Sequence, residues 1–284
     1  MNSCQKYFSV CALALLTQAA FAQGAPSLGS ASSFTVLSAA PNGAGAVTCT
    51  DSSVTGDVGS SGLAASVVQT SCAITGAVVA PVSAAVVADF NSAYDQLGLA
   101  QCDRVLTTLD GQVLSPGVYC VDAAATSTGS VLTLQGPSNG TWIFRIGTLG
   151  TGALTGTNFS VVAQGGAPLA CNNVYWQVAE AVTMTDSQFV GTVLAGAAVT
   201  LTRGTFNGDA LAKAAVTLTG VTVIGCENSG PANPPHKPKQ HCNQGVGNGP
   251  EACDPGNSNQ GNPFRSNDEL GGTPGDPGRK GGNK

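Results

Sequence analysis

The sequence predicts a mostly β protein, a β-solenoid with one long α-helix packed alongside, and three observations predict it. The pattern Val-Thr-x-Thr occurs at Val182, Val199 and Val216, a spacing of 17 and then 17 again, and Phe189, Gly191 and Ala195 recur 17 residues on as Phe206, Gly208 and Ala212. Fixed-period self-similarity marks a stacked architecture in which each unit buries its apolar face against its neighbours. Within each repeat Val, Thr, Leu and Phe alternate with period two between Gly and Asn, the signature of strands joined by turns, and the period is too short for a helix pair. One segment departs from this. After Pro81 and a capping residue at Ser83, the apolar residues Val86, Val87, Phe90, Ala93, Tyr94 and Leu97 follow helical spacing, with Asp89, Asn91, Ser92, Asp95 and Gln96 on the other side. A single amphipathic helix is expected over about 83–98, lying along the solenoid.

The ends of the chain read differently from its middle. Residues 1–22, MNSCQKYFSVCALALLTQAAFA, combine a short polar start, an apolar run and the small-x-small site Ala20-Phe21-Ala22, which is the pattern of a cleaved secretory signal. As a membrane anchor the run is short of the ~20 residues a span requires. From Glu227 onward Gly, Pro and Asn dominate and no periodicity remains, so residues 227–284 are expected to be a largely disordered tail, which buries too little apolar surface to offset its ordering entropy. The folded domain is expected to be 23–226.

Export agrees with the cysteines. Beyond the signal there are eight: Cys49, Cys72, Cys102, Cys120, Cys171, Cys226, Cys242 and Cys253. An even number in an exported chain reads as disulfides, with neighbours paired in chain order as the expected connectivity, although sequence alone leaves it open. A metal site is the competing reading, and no Cys-x-x-Cys spacing supports it. Cys253-Asp254-Pro255-Gly256-Asn257-Ser258-Asn259 looks like a calcium loop, but Gly256 stands where a ligand is required, and turn chemistry accounts for it. No cofactor or metal is expected.

Within 23–226 the basic residues are Arg104, Arg145, Arg203 and Lys213, outnumbered by acidic ones. So few positive charges argue against nucleic acid as a partner. They also argue against an enzyme. His236 and His241 both fall in the tail, and the domain carries no adjacent carboxylates for general acid–base chemistry. Alternation places Thr183 and Thr185, Thr200 and Thr202, and Thr217 and Thr219 on the outer side of their strands, and Leu154-Thr155-Gly156-Thr157-Asn158-Phe159 adds a similar row. Stacked in register, the hydroxyls would form two columns ~4.8 Å apart along the stack and ~6.7 Å apart along the strand. Threonine also suits a half-exposed strand on propensity alone. The sharper reading is a stiff array of methyl and hydroxyl groups that orders water and merges with an ice face. Asp186, Arg203, Asp209 and Lys213 lie close enough in sequence to interrupt it.

The stretches LGSASSFTVLSAAPNGAGAVTC, SSVTGDVGSSG, VVADFNSAYDQL, LSPGVYC, TWIFRIG, NNVYWQV and FVGTVLAGAAVTLTRGTFNGDALAKAAVTL, in that order over about residues 27–226, resemble the microbial ice-binding proteins built on a discontinuous β-solenoid. The resemblance implies a right-handed, irregular β-helix of roughly triangular section, secretion, and adsorption to ice with inhibition of recrystallisation. It also implies one flat ice-facing side carrying Thr-Ala/Gly-x-Thr/Asn, which Thr155-Gly156-Thr157-Asn158 matches. Whether the Val-Thr-x-Thr columns share that side is left open by the sequence. An extracellular adhesion or matrix scaffold is the alternative function. The tail lies outside the resemblance, and its partner is not indicated.

Overall fold

Seventeen residues are the length of one pass around a stack of parallel strands. A computed structural model of the chain describes residues 25–164 and 169–226. In it Val182 pairs with Val199 and Val199 with Val216, every partner in the repeat lying 17 residues on. Each full pass visits three strand positions, here termed the first, second and third sides, and all pairs are parallel. The first side is a nine-stranded sheet. The second and third sides belong to one thirteen-stranded sheet, because Val182–Val190 and Val199–Asn207 run through the corner between them as continuous strands. Neither sheet closes on itself.

The order of passes in space differs from their order in the chain. The strands Phe34–Ser38, Val47–Thr50 and Ser53–Thr55 lie against Ala210–Ala212, Val216–Thr219 and Thr222–Ile224, so the beginning of the domain stacks on its end. A further pass, Asp57–Ser60, Val67–Thr70 and Ala73–Ile74, is outermost there, with Val78–Val79 beyond it on the first side. The helix α1, Ala84–Leu99, then carries the chain to Arg104–Val105 at the opposite edge of the first side, from which it winds back. Sixteen helical residues supply ~24 Å of that return at 1.5 Å each.

The helix begins where its capping residue is expected, one residue after Ser83, whose hydroxyl accepts the Val86 amide at 3.4 Å. Its far end is held by Arg145 on the first side, whose guanidinium donates to the carbonyls of Gly98 and Ala100. Val86, Phe90, Ala93 and Leu97 are buried against Leu37, Val118, Ile143, Tyr175, Leu194 and Leu211 of the first side. The six first-side strands that carry these residues are thus covered on both faces, by the helix outside and by the stack interior inside, while the edge strands Val78–Val79 and Arg104–Val105 are exposed. Val174–Val178 and Thr192–Ala195 are buried at every position, as expected of a doubly covered parallel sheet. Asp89 lies on the helix side opposite the apolar stripe, as expected, and has a partner there. Its carboxylate accepts from the Ser30 amide at 2.7 Å and from the Ser30 hydroxyl at 2.5 Å, which pins the turn Gly29–Ser33 to the helix. The Ser30 hydroxyl is the main cause holding the Asp89 carboxyl below its usual range.

The interior is an aromatic stack running along the passes. Phe144 lies on Trp176 with ring centres 4.0 Å apart, Trp176 meets Phe189 at 4.8 Å, and Phe189 stacks on Phe206 at 5.4 Å, so the repeated Phe is a repeated core contact. Disulfides join Cys49 to Cys72, Cys102 to Cys120 and Cys171 to Cys226, the neighbouring pairs. The expectations for the leader 1–22 and the tail 227–284, with Cys242 and Cys253, lie outside the described residues.

Candidate functional site

The second side presents one residue type almost without interruption. Its strands align in register as Ala125–Thr128, Leu154–Thr157, 182–185, 199–202, Val216–Thr219, Val47–Thr50 and Val67–Thr70. Alternation sends the first and third residues of each strand inward and the second and fourth outward. The outward pairs are Thr126 and Thr128, Thr155 and Thr157, Thr183 and Thr185, Thr200 and Thr202, Thr217 and Thr219, Thr48 and Thr50, and finally Val68 and Thr70. Val68 alone interrupts two columns of threonine over seven strands. The row at Thr155 and Thr157 and the Val-Thr-x-Thr ladder therefore share one side.

The inward residues explain why the columns stay regular. Val182, Val199, Leu201, Val216 and Leu218 are fully or almost fully buried and fix each strand by its apolar face. Gly156 is an inward position where a Cβ would come 2.6 Å from the Met184 sulfur and 3.2 Å from the Phe159 Cβ, so the small residue makes room for its neighbour's larger one. One residue before the first inward position of each strand stands a small residue: Ala124, Ala153, Ala181, Ala198, Ala215, Ala46 and Ser66. The carbonyls of Ala153, Ala181, Ala198, Ala215 and Ala46 accept from the strand of the adjoining pass, which continues the ladder through them. This half-exposed strip borders the threonines on the edge nearest the first side.

On the other edge every strand ends in a left-handed residue. Gly129, Asn158, Asp186, Arg203, Gly220, Asp51 and Ser71 all have φ between 49° and 63°, and this turn sends the chain to the third side. Asn158 is therefore a corner residue beside Thr157, outside the two threonine columns. The corner also explains the charges. Arg203 makes a two-pronged ion pair with Asp186, both contacts at 2.6 Å, along this edge. Lys213 turns to the helix, 3.7 Å from the centre of the Tyr94 ring and 3.8 Å from the Asp95 carboxylate. Asp209 is buried and accepts from the Thr192 hydroxyl and the Cys226 amide. None of the four interrupts the threonine columns.

Sequence reasoning missed Thr48, Thr50, Thr70, Thr126 and Thr128. Val47-Thr48-Cys49-Thr50 carried the Val-Thr-x-Thr signal, but it stands far outside the 17-residue series. Thr126 and Thr128 have Ala125 and Ser127 inward, which hides the apolar alternation. Among the described residues, no group of three or more His, Cys, Asp or Glu could hold a metal ion, and no helix is long and apolar enough to cross a membrane. Two shallow cavities of about 260 and 200 Å³ lie along the 25–32 segment, one lined by helix and first-side residues and the other reaching Tyr175 and Asp209. Neither is lined by a threonine of the columns.

Fold and site define a class: among the described residues, a stack of parallel strands braced by one α-helix, with outward threonines in register on one side. The family model described as Ice-binding-like matches residues 41–224, and the chain belongs to that family. Among solved structures, an ice-binding protein from an Antarctic biological consortium is similar at a TM-score of 0.62 and 26% identity, covering 72% of this chain and 92% of that one. One from the Antarctic ascomycete Antarctomyces psychrotrophicus matches at 0.60 and 31%, covering 71% and 98%. A glycosylated ice-binding protein from an Arctic yeast matches at 0.62 and 29%, covering 76% and 98%. Among curated proteins, none matches.

Proposed function

We propose that this protein binds ice through its second side and thereby inhibits ice growth and recrystallisation. The observation that carries the reading is the in-register pair of threonine columns, broken only at Val68. Each β-branched threonine has a restricted χ1, so its methyl and hydroxyl stand at fixed positions. Rows ~4.8 Å apart along the stack and ~6.7 Å apart along each strand offer water a periodic set of hydrogen-bonding and apolar sites. Water ordered on such a surface can join a crystal plane, and an adsorbed molecule then pins the growing front around it. The alanine strip widens the same plane, since a methyl group projects too little to lift a flat crystal away.

The finer features of the reading rest on the family and the sequence: a right-handed coil of roughly triangular section, a cleaved leader over 1–22, release outside the cell, an ice-binding domain over 23–226, and a tail over 227–284 with no part in ice contact. The test is recrystallisation inhibition by the purified protein and by Thr200→Tyr at matched molarity. The wild type should suppress grain coarsening, and the variant should lose most of that effect with unchanged circular dichroism. A wild type without effect would leave the adhesion or matrix scaffold as the better reading.

A further inference from the structure

We propose that Asp186 is a positioning residue for the ice-contacting side, and that its task is to hold the Arg203 side chain along the corner and off the threonine columns. The inference rests on the reading that the second side docks ice. Arg203 directly follows Thr202 at the middle of the stack, and it is the long cation of the corner column. The corner otherwise carries glycine or short side chains: Gly129, Asn158, Asp186, Gly220, Asp51 and Ser71. A free arginine there could sweep over Thr202 and its neighbours, and a rigid crystal plane cannot bend around such a protrusion.

The geometry restrains it. Nε and Nη2 of Arg203 each donate to a different oxygen of Asp186 at 2.6 Å, the fork geometry that fixes orientation as well as distance. The Arg203 Cγ also lies 3.4 Å from the place a Cβ would take on Gly220, so the stem is laid against the corner of the following pass. The pair is exposed, at 57% for Arg203 and 37% for Asp186. A pair so placed contributes little to stability, which leaves orientation as its main consequence. Glycine already occupies this corner at Gly129 and Gly220 with the same left-handed backbone, so glycine fits at 186 and 203, its entropy cost offsetting the strain it relieves.

The experiment compares the wild type, Asp186→Gly, Arg203→Gly, the double variant and Thr200→Tyr for recrystallisation inhibition, with thermal unfolding of each. Asp186→Gly should need a severalfold higher concentration for the same inhibition. Arg203→Gly alone should match the wild type, and the double variant should recover wild-type potency, with melting curves nearly superimposed throughout. Full potency in Asp186→Gly would overturn the proposal, as would a double variant as weak as Asp186→Gly. A Thr200→Tyr variant as potent as the wild type would instead show that ice docks elsewhere, removing the surface on which the proposal rests.

Discussion

Thr48 pairs directly with Thr217, although they stand near opposite ends of the domain. The contact places the first strand of the second side on its last one and lengthens the threonine columns by the rows at 48 and 50 and at 68 and 70. A residue far from the repeat in sequence thus becomes central to the same surface.

If the second side docks ice, that placement means Thr48→Tyr should cost recrystallisation inhibition as much as Thr200→Tyr, and Thr157→Tyr should match both. Each side chain is only partly exposed and points away from the core, so stability should change by no more than ~0.5 kcal/mol. Thr205→Tyr is the control, because Thr205 is exposed on the third side, where it pairs with Gln188 and Thr222. Equal losses at Thr205 and Thr200 would count against a single contacting side.

The half-exposed alanine strip gives a second expectation. Ala198→Tyr should reduce activity nearly as far as Thr200→Tyr, since Ala198 stands immediately before the strand Val199–Asn207, next to its inward Val199. Grain-size measurements on the folded variant check this, and full activity would confine the contact to the threonine columns.

Gly156→Val tests the inward side. A Cβ there would press on the Met184 sulfur and the Phe159 Cβ, and overpacking of this kind costs ~1–3 kcal/mol. The midpoint of thermal unfolding should fall accordingly. An unchanged midpoint would mean that the interior at this pass has room to spare.

Tyr175 predicts an alkaline effect. Burial first, and then the Asp209 carboxylate, push its phenol from 10.0 up to about 12, and its hydroxyl donates to the Asn172 carbonyl at 2.6 Å. The folded state holds this proton more tightly than the unfolded chain does. The stabilisation is therefore complete below pH 10 and is lost as the pH rises from 10 towards 12. Tyr175→Phe should be less stable near neutrality, and its melting temperature should fall less steeply over that window. Parallel slopes for the two proteins would argue that the Tyr175 proton is not linked to folding.

Local regularities were legible in the chain itself. The Val182, Val199 and Val216 spacing set the length of one pass, alternation put the threonines outward, and Ser83 with the stripe Val86, Phe90, Ala93 and Leu97 marked the helix, because each depends only on neighbours within a strand or a few turns. The first-side strands were harder to read. Val174–Val178 is buried on both faces, one of them by a helix distant in the chain, so period-two alternation vanishes there.

What only the tertiary structure decided was register between segments far apart: Thr48 beside Thr217, Thr126 beside Thr155, and Asn158, Asp186 and Arg203 on the corner instead of the columns. The physical reason is that parallel pairing between passes is set by burial of inward residues such as Val47 and Val216 against the common core, while the intervening connections vary in length. Seventeen residues separate the passes in the repeat, 28 separate Leu154 from Val182 and 20 separate Val47 from Val67. A period in the sequence can count equal passes, but only the packed interior aligns unequal ones.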